Sequence, residues 1–269
     1  MVLTGRPALA LALLVLPLLA APRPATAVEG RLDLTTFSMI TPEQWERLHR
    51  RSDSPPLTLA ELKQLQAAGV GDKAILEMVR TRRVVDRASA KDLAALKKAG
   101  ASDDLVAAVS AHALPENRSI DLLLTVDVST PHSLALAPYL YVEWVQTAKG
   151  KREHLMFADL RTLLGRGKAI EDRSDPLLPS RVRRAQISGS VPLRHPGPIE
   201  VRVLVSKRPD LLRLDDLPDA ERKRIKTWRF ELPAVSLYHD CELELALVRD
   251  ELIADVFSVQ RSRFLCTFD

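Results

Sequence analysis

Two hydrophobic periods divide this chain. Between Thr58 and Val109 apolar residues recur at helical spacing, and from Ile120 onward they alternate with polar ones at every second position. The helical stretch is also a repeat. TLAELKQLQAAGVGDKAILEM begins at Thr58, and SAKDLAALKKAGASDDLVAAV begins at Ser89, 31 positions later. Leu59, Leu62 and Leu65 share one helical face in the first copy, as Leu93 and Leu96 do in the second. Thr58 and Ser89 are placed as N-caps, with Glu61 and Asp92 three residues on. Gly69 and Gly100 fall where a left-handed residue stops a helix. Asp72, and in the second copy Ser102 or Asp103, are placed to cap a second helix. Its buried side would be lined by Ile75, Met78 and Val79, or by Val106 and Val109. A single unit cannot bury its own leucines, and a solenoid would need three or more units. Thr41-Pro42-Glu43-Gln44 opens a further short helix bearing Trp45 and Leu48, and Arg50 to Pro56 forms a linker. The pattern therefore predicts a compact bundle of four or five helices.

The alternating half predicts eight or nine short strands. Ile120, Leu122, Leu124, Val126 and Val128 form one strand, and Leu140, Val142 and Trp144 another. QISGSVPL and PIEVRVLV flank Arg194-His195-Pro196-Gly197 and read as a hairpin, followed by a strand bearing Trp228, Phe230 and Leu232. CELELALV, LIADVFSVQ and RFLCTF read as a three-strand meander with turns near Asp250 and Arg261-Ser262. Two longer connections interrupt the strands: Phe157 to Ala185, with a short helix near Leu160–Leu164, and Asp216 to Lys226, with a helical turn from Pro218. The expected fold is α+β in two domains, a small N-terminal helical repeat bundle followed by an antiparallel β-sandwich, for which an immunoglobulin-like arrangement is one candidate and a partly open barrel the alternative. The expected boundaries are 1–27 for a leader, 28–57 for a lead-in, 58–114 for the helical repeat domain and 119–269 for the sandwich.

The phrase Leu-x-x-Leu-x-x-Ala-Gly-x-x-Asp-x-x-hydrophobic resembles a tandem helical repeat of uncharacterised exported bacterial proteins. The likeness covers about a fifth of the chain and implies a structural unit without a known activity. The second copy fits better, because Gly71 replaces the usual small polar residue before Asp72.

An address is written at the N-terminus. Arg6, the apolar run Ala8 to Ala21 and the small residues Ala25-Thr26-Ala27 read as a signal peptide cleaved near Ala27. The run holds Pro17 and is shorter than the ~20 residues of a membrane span. The expectation is an exported, periplasmic or extracellular protein with no transmembrane segment in the mature chain. The net charge is +4, and removing Arg6 and Arg23 with the leader leaves about +2, with acids and bases interleaved. That balance predicts no nucleic-acid partner. Protein or cell-envelope components are the expected partners.

Candidate chemistry is sparse. His239-Asp240-Cys241 sets three ligand-type residues side by side, but neighbours on a strand point to opposite faces. Ser188-Gly189-Ser190 lies within a strand and not on a nucleophile turn. No catalytic residue, metal site or cofactor is predicted. Arg181, Arg183 and Arg184 are a candidate anion-binding surface, set against a solvated face balanced by Glu171, Asp172 and Asp175. Cys241 and Cys266 are either disulfide-bonded or buried thiols, since a plain meander would hold them two strands apart. Asn117-Arg118-Ser119 is a glycosylation sequon that carries no expectation. Three functional readings follow: a non-catalytic binding or assembly protein of the envelope, an enzyme with its site on the 157–185 connection using His154, His195 or His239, and a structural protein that oligomerises through the repeats.

Overall fold

A computed structural model describes residues 31–50, 54–129, 139–146, 151–172, 180–249 and 257–268. The expected leader, 1–27, lies outside them. The chain is α+β, with two mixed sheets and, among the described residues, seven α-helices.

The helical part follows its caps. α1 (Pro42–Leu48) opens on a capping box between Thr41 and Gln44. α2 (Leu59–Ala67) and α4 (Ala90–Lys98) open on the boxes Thr58/Glu61 and Ser89/Asp92. Both end in a left-handed glycine, Gly69 at φ 75° and Gly100 at φ 102°. Val70 N–H then reaches back to Leu65 and Ala101 N–H to Leu96, which satisfies carbonyls that the helix end would leave unpaired. α3 (Asp72–Arg82) and α5 (Asp103–Ala111) complete the units. Asp72 does not cap its own helix. Gly71 occupies that place without a side-chain bond, and the Asp72 carboxylate accepts the Ser102 N–H at 2.6 Å, at the mouth of α5. Leu62, Ile75, Val79, Leu96, Leu105 and Val109 close a core of their own. Leu57, Val84 and Ala113 line up in parallel bridges at its side.

The remaining strands are β3 (Ser119–Ser129), β4 (Tyr139–Gln146), β5 (Lys151–Asp159), β6 (Lys168–Asp172), β7 (Ser180–Pro192), β8 (Gly197–Ser206), β9 (Lys226–Leu232), β10 (Asp240–Arg249) and β11 (Phe257–Thr267). Before the helices come β1 (Arg31–Asp33), a 3-10 turn at Leu34–Thr36 and β2 (Ser38–Met39). One sheet runs β1-β5-β4-β8-β9, and the other β11-β10-β3-β7-β2 with β6 also on β7. The inward residues of both share one apolar core, including Leu124, Val126, Val142, Trp144, Val203 and Leu243.

Four expectations are corrected here. The sheets are mixed and not antiparallel, because β3 pairs β10 and β1 pairs β5 in parallel. These partners are far apart in sequence, where turn signals give no direction. The 194–197 turn does not close a hairpin. β7 pairs β3 while β8 pairs β4 and β9, so the chain crosses from one sheet to the other there. Among the described residues the meander is two strands: Arg261-Ser262 lies inside β11, and a bulge at the neighbouring Gln260 interrupts the alternation. The 157–185 connection is mostly regular structure. α6 (Leu160–Gly165) drops Leu160, Leu163 and Leu164 into the sandwich core, and β6 pairs with β7.

Residues 31–39, in the expected lead-in, add an edge to each sheet. Leu34 and Phe37 are buried in the shared core, and Phe37 lies against Gly189. The helical stretch is thus inserted after the first strands of the sandwich.

Candidate functional site

α1 and β2 border a concavity with a largely apolar lining. Trp45 anchors α1: the indole is buried and its N–H donates to Glu242 Oε1 at 3.2 Å, which fixes the helix across the outer face of the β3–β7–β10 sheet. The rest of the helix turns outward, leaving Leu48 72% exposed. Beside it β2 presents Met39. A groove of about 560 Å³ runs between them, lined by Ser38, Met39, Ile40, Arg47, Leu48 and Ser188. It continues past Leu48 and Ser188 into a smaller hollow of about 310 Å³ that holds Trp45, His49, Asp121 and Ser190.

A serine, a histidine and an aspartate therefore meet in this hollow, but their geometry does not form a hydrolytic triad. His49 Nδ1 lies 3.2 Å from the Trp45 carbonyl, which can only accept, so Nδ1 carries the proton. The opposite nitrogen, Nε2, faces Asp121 Oδ2 at 3.7 Å. A triad needs the carboxylate on Nδ1 and the nucleophile on Nε2. Here Nδ1 is taken up by the α1 backbone, and the His49 ring lies tilted against that of Trp45, with centroids 3.6 Å apart.

The other face of the first sheet carries a polar network. Glu143 and Glu200 are buried, with Arg202 between them. Arg202 Nε bonds Glu200 at 2.5 Å, and its Nη1 lies 2.8 Å from Asp215 and 3.6 Å from Glu143. Arg229 takes the second Glu200 oxygen at 2.7 Å. Burial opposes ionisation of Glu200, but the hydrogen bonds from Arg202 and Arg229 outweigh it and hold the carboxyl below its ordinary value. Beside this network Leu211, Leu214 and Leu217 pack on Tyr141, Leu155 and Leu204, so the segment 211–217, which leads into the second long connection, covers the sheet. Burial raises the Tyr141 phenol to about 12, and its hydroxyl donates to the Arg208 carbonyl at 2.5 Å.

The residues singled out from sequence are dispersed. Arg183 and Arg184 are neighbours on β7 and point to opposite faces. Arg183 donates to the Leu164 carbonyl at the end of α6, whereas Arg184 makes a two-pronged bond to Asp127 at 2.7 and 2.6 Å. The Arg181 side chain lies outside what is described. His154 sits on β5, His195 in the β7–β8 turn and His239 before β10, on both sheets and the connection between them. Among the described residues no three His, Cys, Asp or Glu side chains are placed to hold a metal. Cys241 and Cys266 are direct cross-strand partners joined in a disulfide, with Cα atoms 4.0 Å apart. The two-strand geometry removes the gap that a third strand would have imposed. Asn117 of the sequon is buried, and its amide donates to Pro233 O and Ser236 Oγ.

Sequence reasoning missed the groove itself. Trp45 and Leu48 both read as the apolar side of one short helix, and nothing local distinguishes the anchored residue from the exposed one.

No known protein family matches the chain, and no curated protein matches it either. Among the described residues no helix is long and apolar enough to cross a membrane. Among solved structures the chain is similar to the fimbrial anchor protein Mfa2 from Porphyromonas gingivalis, at 10% identity and a TM-score of 0.23. The match covers 57% of this chain and 48% of that one, so it spans about half of that protein's length, and a likeness at this level carries no argument.

Proposed function

We propose that the chain is an exported, non-catalytic binding or assembly protein of the cell envelope, built of a helical repeat unit over 58–114 and a β-sandwich. The observation that carries the binding reading is the groove beside α1. A leucine held 72% exposed on a helix that is otherwise pinned down is a place where apolar surface waits for a partner. The Cys241–Cys266 bond supports the compartment, because disulfides persist where the surroundings are oxidising. It agrees with the leader read at residues 1–27.

The competing readings have less to rest on. Leu62 and Leu96 are buried inside the monomer and Leu59, Leu65 and Leu93 pack against the same cluster, which leaves the repeats little leucine surface for self-assembly. The 157–185 connection spends its leucines on the core.

Site-specific photo-crosslinking in intact cells tests the proposal. A photoreactive side chain at position 48 should give a discrete adduct in the envelope fraction, and one at exposed Glu77 on α3 should not. Equal labelling at both positions, or a protein recovered from the cytosol with its first 27 residues retained, would refute the reading.

A further inference from the structure

β11 ends the six-stranded sheet. β10 pairs with one side of it from Phe257 to Thr267, and among the described residues no strand pairs with the other. The exposed side therefore offers alternating N–H and C=O groups along 11 residues. Only an extended chain presents donors and acceptors at that repeat. The other strands paired on one side only, β1, β2, β6 and β9, are three, two, five and seven residues long, so β11 is the longest such template among the described residues.

We propose that β11 is a docking edge for an extended segment of another protein, in which acidic residues alternate with apolar ones. The two faces of β11 specify the alternation. Toward the sheet exterior it carries Arg261 and Arg263, opposite Ala246 and Glu244 on β10, and then Leu265, 47% exposed. Residues two apart on a strand are separated by about 7 Å, so the two guanidinium groups match two acidic residues at i and i+2 of an added strand. They are available for it. Arg184, in the same 720 Å³ groove, is neutralised by Asp127. Arg263 reaches Glu244 only at 3.7 Å and its side chain is 61% exposed, and Arg261 has no carboxylate partner among the described residues. Lys168, the cross-strand neighbour of Arg184, adds positive charge on that face.

Toward the interior β11 carries Phe264. Its ring lies 5.8 Å from Trp228 and 5.7 Å from Phe230, and Phe230 lies 5.7 Å from Phe268. These four rings are only partly buried and sit where β11 and β9, the terminal strands of the two sheets, face each other. Apolar residues on the inner side of an added strand would cover them. A second copy of this chain is the poorer occupant. Antiparallel pairing centred on Ser262 would set Arg261 against Arg263 twice, and like charges directly opposite repel.

Fluorescence anisotropy of the mature protein with labelled seven-residue peptides tests this. Three probes suffice: one alternating Glu and Val, one alternating Lys and Val, and the Glu peptide with alternate amides N-methylated on its hydrogen-bonding edge. Only the first should bind saturably, and more weakly as salt rises. Arg261→Glu with Arg263→Glu should weaken it roughly tenfold and favour the Lys peptide, with the circular dichroism spectrum unchanged. Equal binding by the N-methylated peptide would mean that the arginines attract carboxylates without strand addition. No saturable binding of the Glu peptide, or none of the expected reversal in the double variant, would likewise overturn the proposal.

Discussion

A methyl group at position 189 would stand 2.5 Å from the Phe37 ring, closer than real side chains approach. Ser188-Gly189-Ser190 invites a catalytic reading as a string of letters, yet the glycine is there because β7 must leave room on its inner face for Phe37. Gly189→Ala should therefore overfill a packed core and cost about 1–3 kcal/mol in urea unfolding. Phe37→Leu has its own cost, but it should recover part of the loss when combined with Gly189→Ala. A double-mutant cycle without coupling would show that the two sites do not touch. Nothing in the sequence links positions 37 and 189, which explains why the serines could be weighed and the glycine's purpose could not.

At the level of elements, what was legible depended on how local the cause is. The capping boxes Thr58/Glu61 and Ser89/Asp92 and the stops at Gly69 and Gly100 are short-range devices, and each acts where the spacing puts it. Sheet partners are long-range, and there the reading failed at the β7–β8 turn and at the β10–β11 bulge. Asp72 lies between the two cases. It sits where a cap would, but serves the neighbouring unit by holding the Ser102 N–H. Hydrogen bonds from Ser102 hold the Asp72 carboxyl below its ordinary value, as those from Ser89 do for Asp92 and those from Thr58 for Glu61. A carboxyl with a lower value in the folded state contributes stability that is complete above the unfolded range, around pH 4, and lost as pH falls through the folded value. The N-termini of α2, α4 and α5 should thus loosen as pH falls through those folded values. Asp72→Asn should bring that loosening to higher pH at the start of α5 first, read as faster amide exchange at Ser102 to Leu105 by NMR. Amide exchange at Ser102 to Leu105 that the substitution leaves unchanged would contradict this.

For the whole molecule, the insertion of the helices into the sandwich is what most alters the sequence-derived picture. A boundary at Ser119 looks natural, because the hydrophobic period changes there. A chain beginning at Ser119 would nevertheless lack Leu34 and Phe37 from the core, the β1 edge of one sheet and the β2 edge of the other. Losing two buried large side chains costs several kcal/mol, about 2–5 for each, against a total of roughly 5–15 for a domain. The fragment Ser119–Asp269 should accordingly fail to unfold cooperatively. The helical unit is dispensable by the same reasoning, because its leucines close a separate core. Leu57 and Ala113 lie on either side of Val84, so by strand spacing they are about 10 Å apart. A flexible Gly/Ser linker of about 8 residues can span that gap. Replacing residues 58–112 with such a linker while keeping 28–57 should give a soluble β-rich protein with a single thermal transition. If the Ser119 fragment melts as sharply and at the same temperature as the linked chain, residues 31–39 decorate the sandwich and do not belong to it.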